Sequence, residues 1–211
     1  MALGVTKEEI SFGKTLIDHG ANILCLDVAH GHSDMMKRAL DELKNYSEKK
    51  SAGNKPVFIA GNIATPEGAV DLVSWCADIL KVGIGPGSMC TTRIVTGAGY
   101  GQLTAISDCA NAVSAPVIAD GGIRNSGDAA KALAAGAQLV MLGKLLAGTD
   151  EVPAWAKAAG AYRGMTSAEA QGGHYGYNFT DRHPEGVATK VQSRGSVASI
   201  LGPFLAGIRS G

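Results

Sequence analysis

The chain has no excess of either charge: 19 Lys and Arg are matched by 19 Asp and Glu across 211 residues. A surface without a basic field lacks the electrostatic footprint of a nucleic-acid or anionic-membrane binder. Long apolar runs are missing too. None approaches the roughly 18 residues of a membrane-spanning helix, and the N-terminus lacks the basic-then-apolar pattern of a secretory signal. Cysteine is scarce and poorly spaced for metal. Cys25, Cys76, Cys90 and Cys109 make no CxxC pair and no Cys/His ligand set. Four such thiols suit a reduced, cytoplasmic protein. What remains is 45% hydrophobic and 18% charged, the composition of a globular chain with one sizeable core.

Short Val/Ile/Leu-rich runs alternate with amphipathic segments of helix length, the pattern of βα units around a parallel sheet. Six strands are expected, over Ala2–Val5, Ile23–Ala29, Pro56–Ala64, Ile79–Gly85, Pro116–Gly122 and Leu139–Ala147. Helices are expected over Lys7–His19, after Ser33, after the Thr65-Pro66 cap, and over Gln102–Val113, Ser126–Ala135 and Arg194–Ile208. Between Gly148 and Ser193 the alternation lapses into a polar stretch rich in Gly, His and Tyr. Segments of that length with little structure of their own are usually lids or disordered.

The chemistry gathers in Ile79 to Thr96, ILKVGIGPGSMCTTRIVT. A buried strand breaks into a Gly-rich loop that presents a lone thiol, Cys90, beside Thr91, Thr92 and Arg93. Glycines let a backbone approach a ligand or ion closely, and a thiol attacks as its thiolate when a nearby cation or amide dipole lowers its pKa. A buried structural cysteine is the plainer alternative. Polar residues also collect where the other strands end: Asp27 with His30, Asn62, Asp120 and Lys144. In β/α barrels the active site lies at that end. The turns DGGIRNSGD and LGKLLAGTD offer the backbone amides that suit a phosphate, which barrels often bind after strands seven and eight. On that count the first strand here corresponds to strand three.

GNIATPEGA, VGIGPGSMCTTR, GAGYGQLTAI, PVIADGGIRNSGDAAKALAAGA, VMLGKLLAGTDEVP, YRGM and PEGV, in this order, closely resemble the IMP dehydrogenase/GMP reductase family over essentially the whole chain. The resemblance implies an α/β fold, a (β/α)8 TIM barrel, in one catalytic domain over residues 1–211 with a mobile flap at about 166–186. It implies hydride transfer at C2 of a purine nucleotide through a covalent thioimidate, with NADP or NAD as cofactor. Cys90 would be the nucleophile, with Thr92 near it and Glu185 managing a proton at the base. Asp120 would hold the ribose, and Gly121, Gly122, Gly143 and Lys144 would surround the 5′-phosphate. Gly164, Met165, Thr166 and Gly186 would line the base, joined by Arg182. Asp27, Val28 and Ala29 match the nicotinamide side. Backbone carbonyls of Gly85, Gly87 and Cys90 look like potassium ligands, and a homotetramer is implied.

The family's two enzymes differ in their second step. The dehydrogenase (IMP, NAD and water to XMP) activates water with an Arg-Tyr pair in the flap; the reductase (GMP and NADPH to IMP and ammonia) lacks it. Ser167–Glu185 holds no Arg-Tyr dipeptide, and DRHPEG resembles the reductase's Arg-x-x-Glu-Gly. PVIADGGIRNSGD, LLAGTDE and YRGM look more like the dehydrogenase. The balance leans to a GMP reductase, with IMP dehydrogenase the alternative and an inactive nucleotide-binding fragment a third. Only six of eight strands are expected, nothing resembles a CBS module, and Lys144 stands where the family commonly has a small residue. An N-terminally truncated barrel is therefore expected.

Overall fold

The computed structural model describes residues 1–50, 55–154, 160–168, 170 and 183–211. The six expected strands form one parallel sheet: β1 (Ala2–Leu3), β2 (Ile23–Asp27), β3 (Val57–Ile63), β4 (Ile79–Val82), β5 (Val117–Asp120) and β6 (Leu139–Met141). Each strand pairs with its predecessor, and β1 and β6 are the two edges. The result is an open arc in barrel order, as the incomplete barrel requires. A second, two-stranded antiparallel sheet joins β7 (Ala161–Arg163) to β8 (Ala188–Lys190); the sequence reading held no strand there.

Helices α1 (Lys7–Asp18), α2 (Asp34–Lys50), α3 (Pro66–Ser74), α5 (Gln102–Ala112) and α6 (Ser126–Ala134) fill the crossovers between successive strands. Their starts follow the side chains that satisfy free amides. Thr6 caps α1 in a capping box, Oγ1 accepting from Glu9 N at 3.3 Å while Glu9 accepts from Thr6 N at 3.2 Å. Thr65 Oγ1 accepts from Gly68 N ahead of Pro66. The closing helix, α7 (Val197–Ser210), starts three residues later than expected because Ser196 caps it through Ser199 N. A short α4 (Thr92–Val95) follows Cys90. Strand β6 is shorter than expected: it stops at Met141, and Lys144–Leu146 is a 3-10 turn. Polar side chains also pin the strand starts, Asp78 accepting from Phe58 N at 2.8 Å and Gln138 from Val117 N at 2.7 Å.

One face of the sheet makes the core. Leu24, Leu26, Phe58, Leu80, Val82 and Val117 pack there against Met36, Leu40 and Leu43 of α2, Leu72 of α3 and Ile106 of α5. Alternate residues point the other way: Ile23, Leu139 and Met141 are exposed on the second face. Asp27, Lys81 and Asp120 also lie on that face, joined to one another near the strands' carboxyl ends. Among the described residues no helix is long and apolar enough to cross a membrane.

At the end of β4 the chain turns at Gly83, with φ +149°. A Cβ there would collide with the backbone carbonyl of Asp120, so glycine is what lets the ends of β4 and β5 close on each other. Gly83→Ala should therefore cost about 1–3 kcal/mol in urea denaturation, as overpacking against rigid backbone does. Gly20→Ala, at φ +80° with nothing within 4 Å of the added carbon, should cost less, about 1 kcal/mol. Equal losses at the two positions would contradict this packing.

Candidate active site

Cys90 leaves the strand β4 on a turn closed by its own amide, which donates to the Gly87 carbonyl at 3.0 Å. Its half-buried thiol donates to Thr92 Oγ1 at 3.1 Å, and the Thr92 hydroxyl donates in turn to Glu185 Oε2 at 2.7 Å. Thiol, hydroxyl and carboxylate thus form a relay whose last member lies 93 residues from its neighbour in sequence. A proton leaving sulfur has a direct path to the carboxylate.

Backbone stitching holds Glu185 in place. The Thr91 amide donates to the Glu185 carbonyl at 2.8 Å, Val187 N to Met89 O at 3.0 Å, and Glu185 N to Thr166 O at 3.1 Å. Gly186 is buried in bridges to Cys90 and Ser167. A Cβ on Gly186 would stand 2.9 Å from Thr166 Oγ1, and one on Gly164 would stand 3.3 Å from the Met89 carbonyl. Gly164, Thr166, Glu185 and Gly186 therefore gather against the Cys90 loop. Met165 lies in the same turn but points outward, 68% exposed. Arg182 and most of the flap expected at about 166–186 lie outside the described residues.

The turn after β5 packs on the same loop. Gly121 and Gly122 take φ +89° and +80°, and a Cβ on Gly121 would stand 3.0 Å from Gly87 N. Asp120 precedes them. Its Oδ2 accepts from Asn62 Nδ2 at 2.9 Å and from Lys81 Nζ, and Asn62 Nδ2 also reaches Gly83 O at 2.7 Å. Gln102 Nε2 spans the ends of β4 and β5, donating to Val82 O at 2.9 Å and Asp120 O at 3.2 Å. Asn62 Oδ1 and Gln102 Oε1 are buried without a hydrogen-bond partner among the described residues.

Gly143 and Lys144 open the turn after β6, both exposed. Tyr162 of β7 lies so close to Gly143 that a Cβ there would collide with its hydroxyl. Burial first, then the Asp120 charge, pushes the Tyr162 phenol above its ordinary pKa, so it stays a donor at neutral pH. Gly143 and Tyr162 line one end of a cleft of about 450 Å³ between the 3-10 turn and the β7–β8 hairpin. Asp27, at the end of β2, pairs with Lys81 at 2.9 Å and keeps its side chain 42% exposed. Val28 hydrogen-bonds Gly61 and Asn62 through its backbone, and Ala29 is exposed beyond it. Gly85, Gly87 and Cys90 lie on one loop, where the Gly87 carbonyl accepts from the Cys90 amide at 3.0 Å. Among the described residues no cluster of His, Cys, Asp and Glu could hold a metal.

Lys81, Asn62, Gln102 and Tyr162 were not assigned a role from sequence. Asn62 stands in the strand-end polar set, and Gln102 and Tyr162 lie within the motifs GAGYGQLTAI and YRGM, whereas Lys81 shows only as a charge inside the apolar run ILKV.

A model of the IMP dehydrogenase / GMP reductase domain matches residues 1–211. A GMP reductase of Leishmania donovani is 44% identical over 225 residues, covering 100% of this chain and 45% of the relative. An inosine-5′-monophosphate dehydrogenase of Aquifex aeolicus is 42% identical, covering 100% of this chain and 44% of the relative. The crystal structure of a GMP reductase from Trypanosoma brucei in complex with guanosine 5′-monophosphate superposes with a TM-score of 0.88 at 39% identity, over 99% of this chain and 44% of that one. The chain thus spans about 45% of the length of the curated relatives it matches.

The four thiols are not equivalent. Burial, with help from Asp27, pushes the Cys25 thiol up to about 11, and burial pushes Cys109 up to about 12. A thiol reacts as its thiolate, whose fraction grows tenfold per pH unit below the pKa. In iodoacetamide pulses at pH 7.5, Cys25 should label about 300-fold and Cys109 about 3,000-fold slower than an ordinary exposed thiol. Both rates should still be climbing at pH 10. Peptide mapping by mass spectrometry reads this, and rapid labelling of either at pH 7.5 would contradict their burial.

Proposed function

We propose a function from one premise: the chain belongs to the IMP dehydrogenase / GMP reductase family. It is a purine nucleotide oxidoreductase that acts at C2 of the base through a thioimidate on Cys90, in the direction GMP to IMP. The observation that carries this reading is the relay Cys90–Thr92–Glu185. Without a base, few thiols are ionised at neutral pH; the relay gives this one a proton acceptor two hydrogen bonds away.

The thiol adds across the C2–N3 double bond of GMP, and its proton passes through Thr92 to Glu185. Glu185 then returns a proton to the departing amino group, so that ammonia leaves and sulfur stays bonded to C2. A reduced nicotinamide, when bound, supplies the hydride that C2 accepts as the thiolate departs, giving IMP. Asp120 is assigned the ribose hydroxyls through Oδ1, which makes no hydrogen bond among the described residues. The amides around Gly121, Gly122 and Gly143, with the Tyr162 hydroxyl and Lys144, are assigned the 5′-phosphate. Gly164, Met165, Thr166 and Gly186 are assigned the base; Arg182 is carried by the motif alone. Asp27 fits the nicotinamide side, since an exposed carboxylate can accept from the hydroxyls of a ribose. NADP or NAD would serve, and potassium would take the carbonyls of Gly85, Gly87 and Cys90, completed by water or another chain. Four free thiols agree with a reducing, cytoplasmic setting, and a homotetramer is the assembly the family resemblance implies.

The reductase direction rests on Glu185 and Gly186 ending an Arg-x-x-Glu-Gly motif and on a relay suited to returning a proton to an amine. IMP dehydrogenase is the second reading, favoured by the similarity to the inosine-5′-monophosphate dehydrogenase of Aquifex aeolicus.

Incubation with 6-chloropurine ribotide, an electrophilic mimic of IMP, should give one adduct by intact mass, mapped to Cys90 and absent in Cys90→Ser. Glu185→Gln should lower GMP reduction by about 10²–10⁴-fold, the range for loss of a general acid–base. No adduct from folded protein would overturn the nucleophile assignment. Steady IMP oxidation with NAD, without GMP reduction, would reverse the direction.

A further inference from the structure

Lys81 is the one fully buried cation of the sheet among the described residues, its side chain 3% exposed. It lies on β4, and its partners lie on two other strands: Asp120 on β5, and Asp27 on β2, beyond β3. The register explains the reach. Gly61 of β3 stands level with both Asp27 and Lys81, and a Cβ on it would come within 2.7 Å of Lys81 Cβ. The missing side chain opens the passage through which the lysine crosses β3. Burial opposes its charge, but the carboxylates of Asp120 and Asp27 outweigh burial and hold its pKa above the ordinary value. One ammonium thus answers two carboxylates, and each keeps an oxygen without a hydrogen bond among the described residues: Asp27 Oδ2 and Asp120 Oδ1.

We infer that Lys81 is a positioning residue that couples the nucleotide carboxylate Asp120 to the cofactor carboxylate Asp27, so that occupancy of either half of the site changes the other. The inference rests on the assignment of those two residues to the two ligands. Its physical basis is that the charge of Lys81 is shared. A hydroxyl donating to Asp120 takes up negative charge there, which frees the ammonium for Asp27, and the converse holds. Asn62 Nδ2 also donates to Asp120 Oδ2 at 2.9 Å, which keeps that carboxylate in place while the ammonium shifts between its partners.

Two measurements separate this coupling from a merely structural ion pair. The first uses no ligand. Asp27→Asn, Asp120→Asn and the double variant are compared by urea denaturation in the Lys81 and Lys81→Met backgrounds. With Lys81 present the double variant should lose more than the sum of the singles, because the ammonium is then left with no anion. In Lys81→Met that excess should vanish. The second measures GMP, IMP and NADPH binding by calorimetry in wild type, Asp27→Asn and Lys81→Arg. Asp27→Asn should weaken mononucleotide binding about threefold to tenfold with no cofactor present, since the whole ammonium then falls on Asp120. Lys81→Arg, which keeps a bridging cation, should keep the dependence of mononucleotide affinity on NADPH.

An unchanged mononucleotide Kd in Asp27→Asn would overturn the inference, and so would additivity of the two carboxylate substitutions in the Lys81 background. If wild type binds no mononucleotide, the purine reading fails, and the denaturation comparison still decides whether Lys81 ties the carboxylates together. If Lys81→Met does not fold, the excess loss in the Lys81 background and the Lys81→Arg titrations decide the matter.

Discussion

A buried ammonium is tolerated only where anions surround it, because an unpaired ion out of water costs several kcal/mol. Lys81 imposes that requirement at the centre of the sheet. It needs Asp27 from β2 and Asp120 from β5 within reach, and it needs β3 to lack a side chain at Gly61. A one-residue slip of β2 or β5 would turn its carboxylate to the other face and leave the ammonium unanswered. The apolar face rejects that slip as well, since it would turn Leu24 and Leu26 or Val117 out of the core. A two-residue slip, however, keeps each face and is opposed by the charges. The charge on the other side selects one register across four strands.

From that fixed register the site is built outward in two steps. The ends of β4 and β5 are drawn together by Gly83 and Gln102, and the turn after β5 lays Gly121 on Gly87. The loop so supported carries Cys90. Residues 183–187, distant in sequence, then add their backbone to the loop through Thr91, Met89 and Gly186. This second layer brings the carboxylate of Glu185 to Thr92. Strands therefore hold the groups assigned to ribose and cofactor, while the thiol and its proton acceptor ride on loops fastened to those strands. Rigid scaffold and adjustable chemistry are separated in that way in many β/α barrels.

Much of this was legible in the sequence. The alternation of apolar runs and amphipathic segments gave all six strands of the sheet, and Thr65-Pro66 marked a helix start that the structure keeps. Cys90, Thr92, Glu185 and the glycines around them were found by motif, and the structure brings them together. The β7–β8 hairpin was missed because each strand is three residues long and its pairing joins Ala161 to Lys190; no local periodicity records so distant a contact. Lys81 was hidden for a different reason. A lysine in an apolar run looks like a lapse in the pattern until its two partners on other strands are seen. Tyr162 stood in a motif, YRGM, but its place beside Gly143 depends on the fold. Residue types that punctuate local structure are readable in one dimension, whereas residues whose role is to meet others across strands are not.

The strand order decides between two architectures that the same alternation allows. A doubly wound sheet reverses its order once and carries helices on both faces, with its ligand at the reversal. Here the order runs from β1 to β6 without reversal, and right-handed crossovers then place every helix on one side. The second face confirms this in its chemistry. Ile23, Val57, Cys25, Ile59 and Ile79 occupy it toward the amino ends of the strands, and Asp27, Lys81 and Asp120 toward the carboxyl ends. A face meant for helices would be apolar along its whole length. A barrel interior is apolar where side chains fill it and charged where it opens to substrate. The gradient along these strands is that of a barrel interior, with its mouth where Cys90 stands.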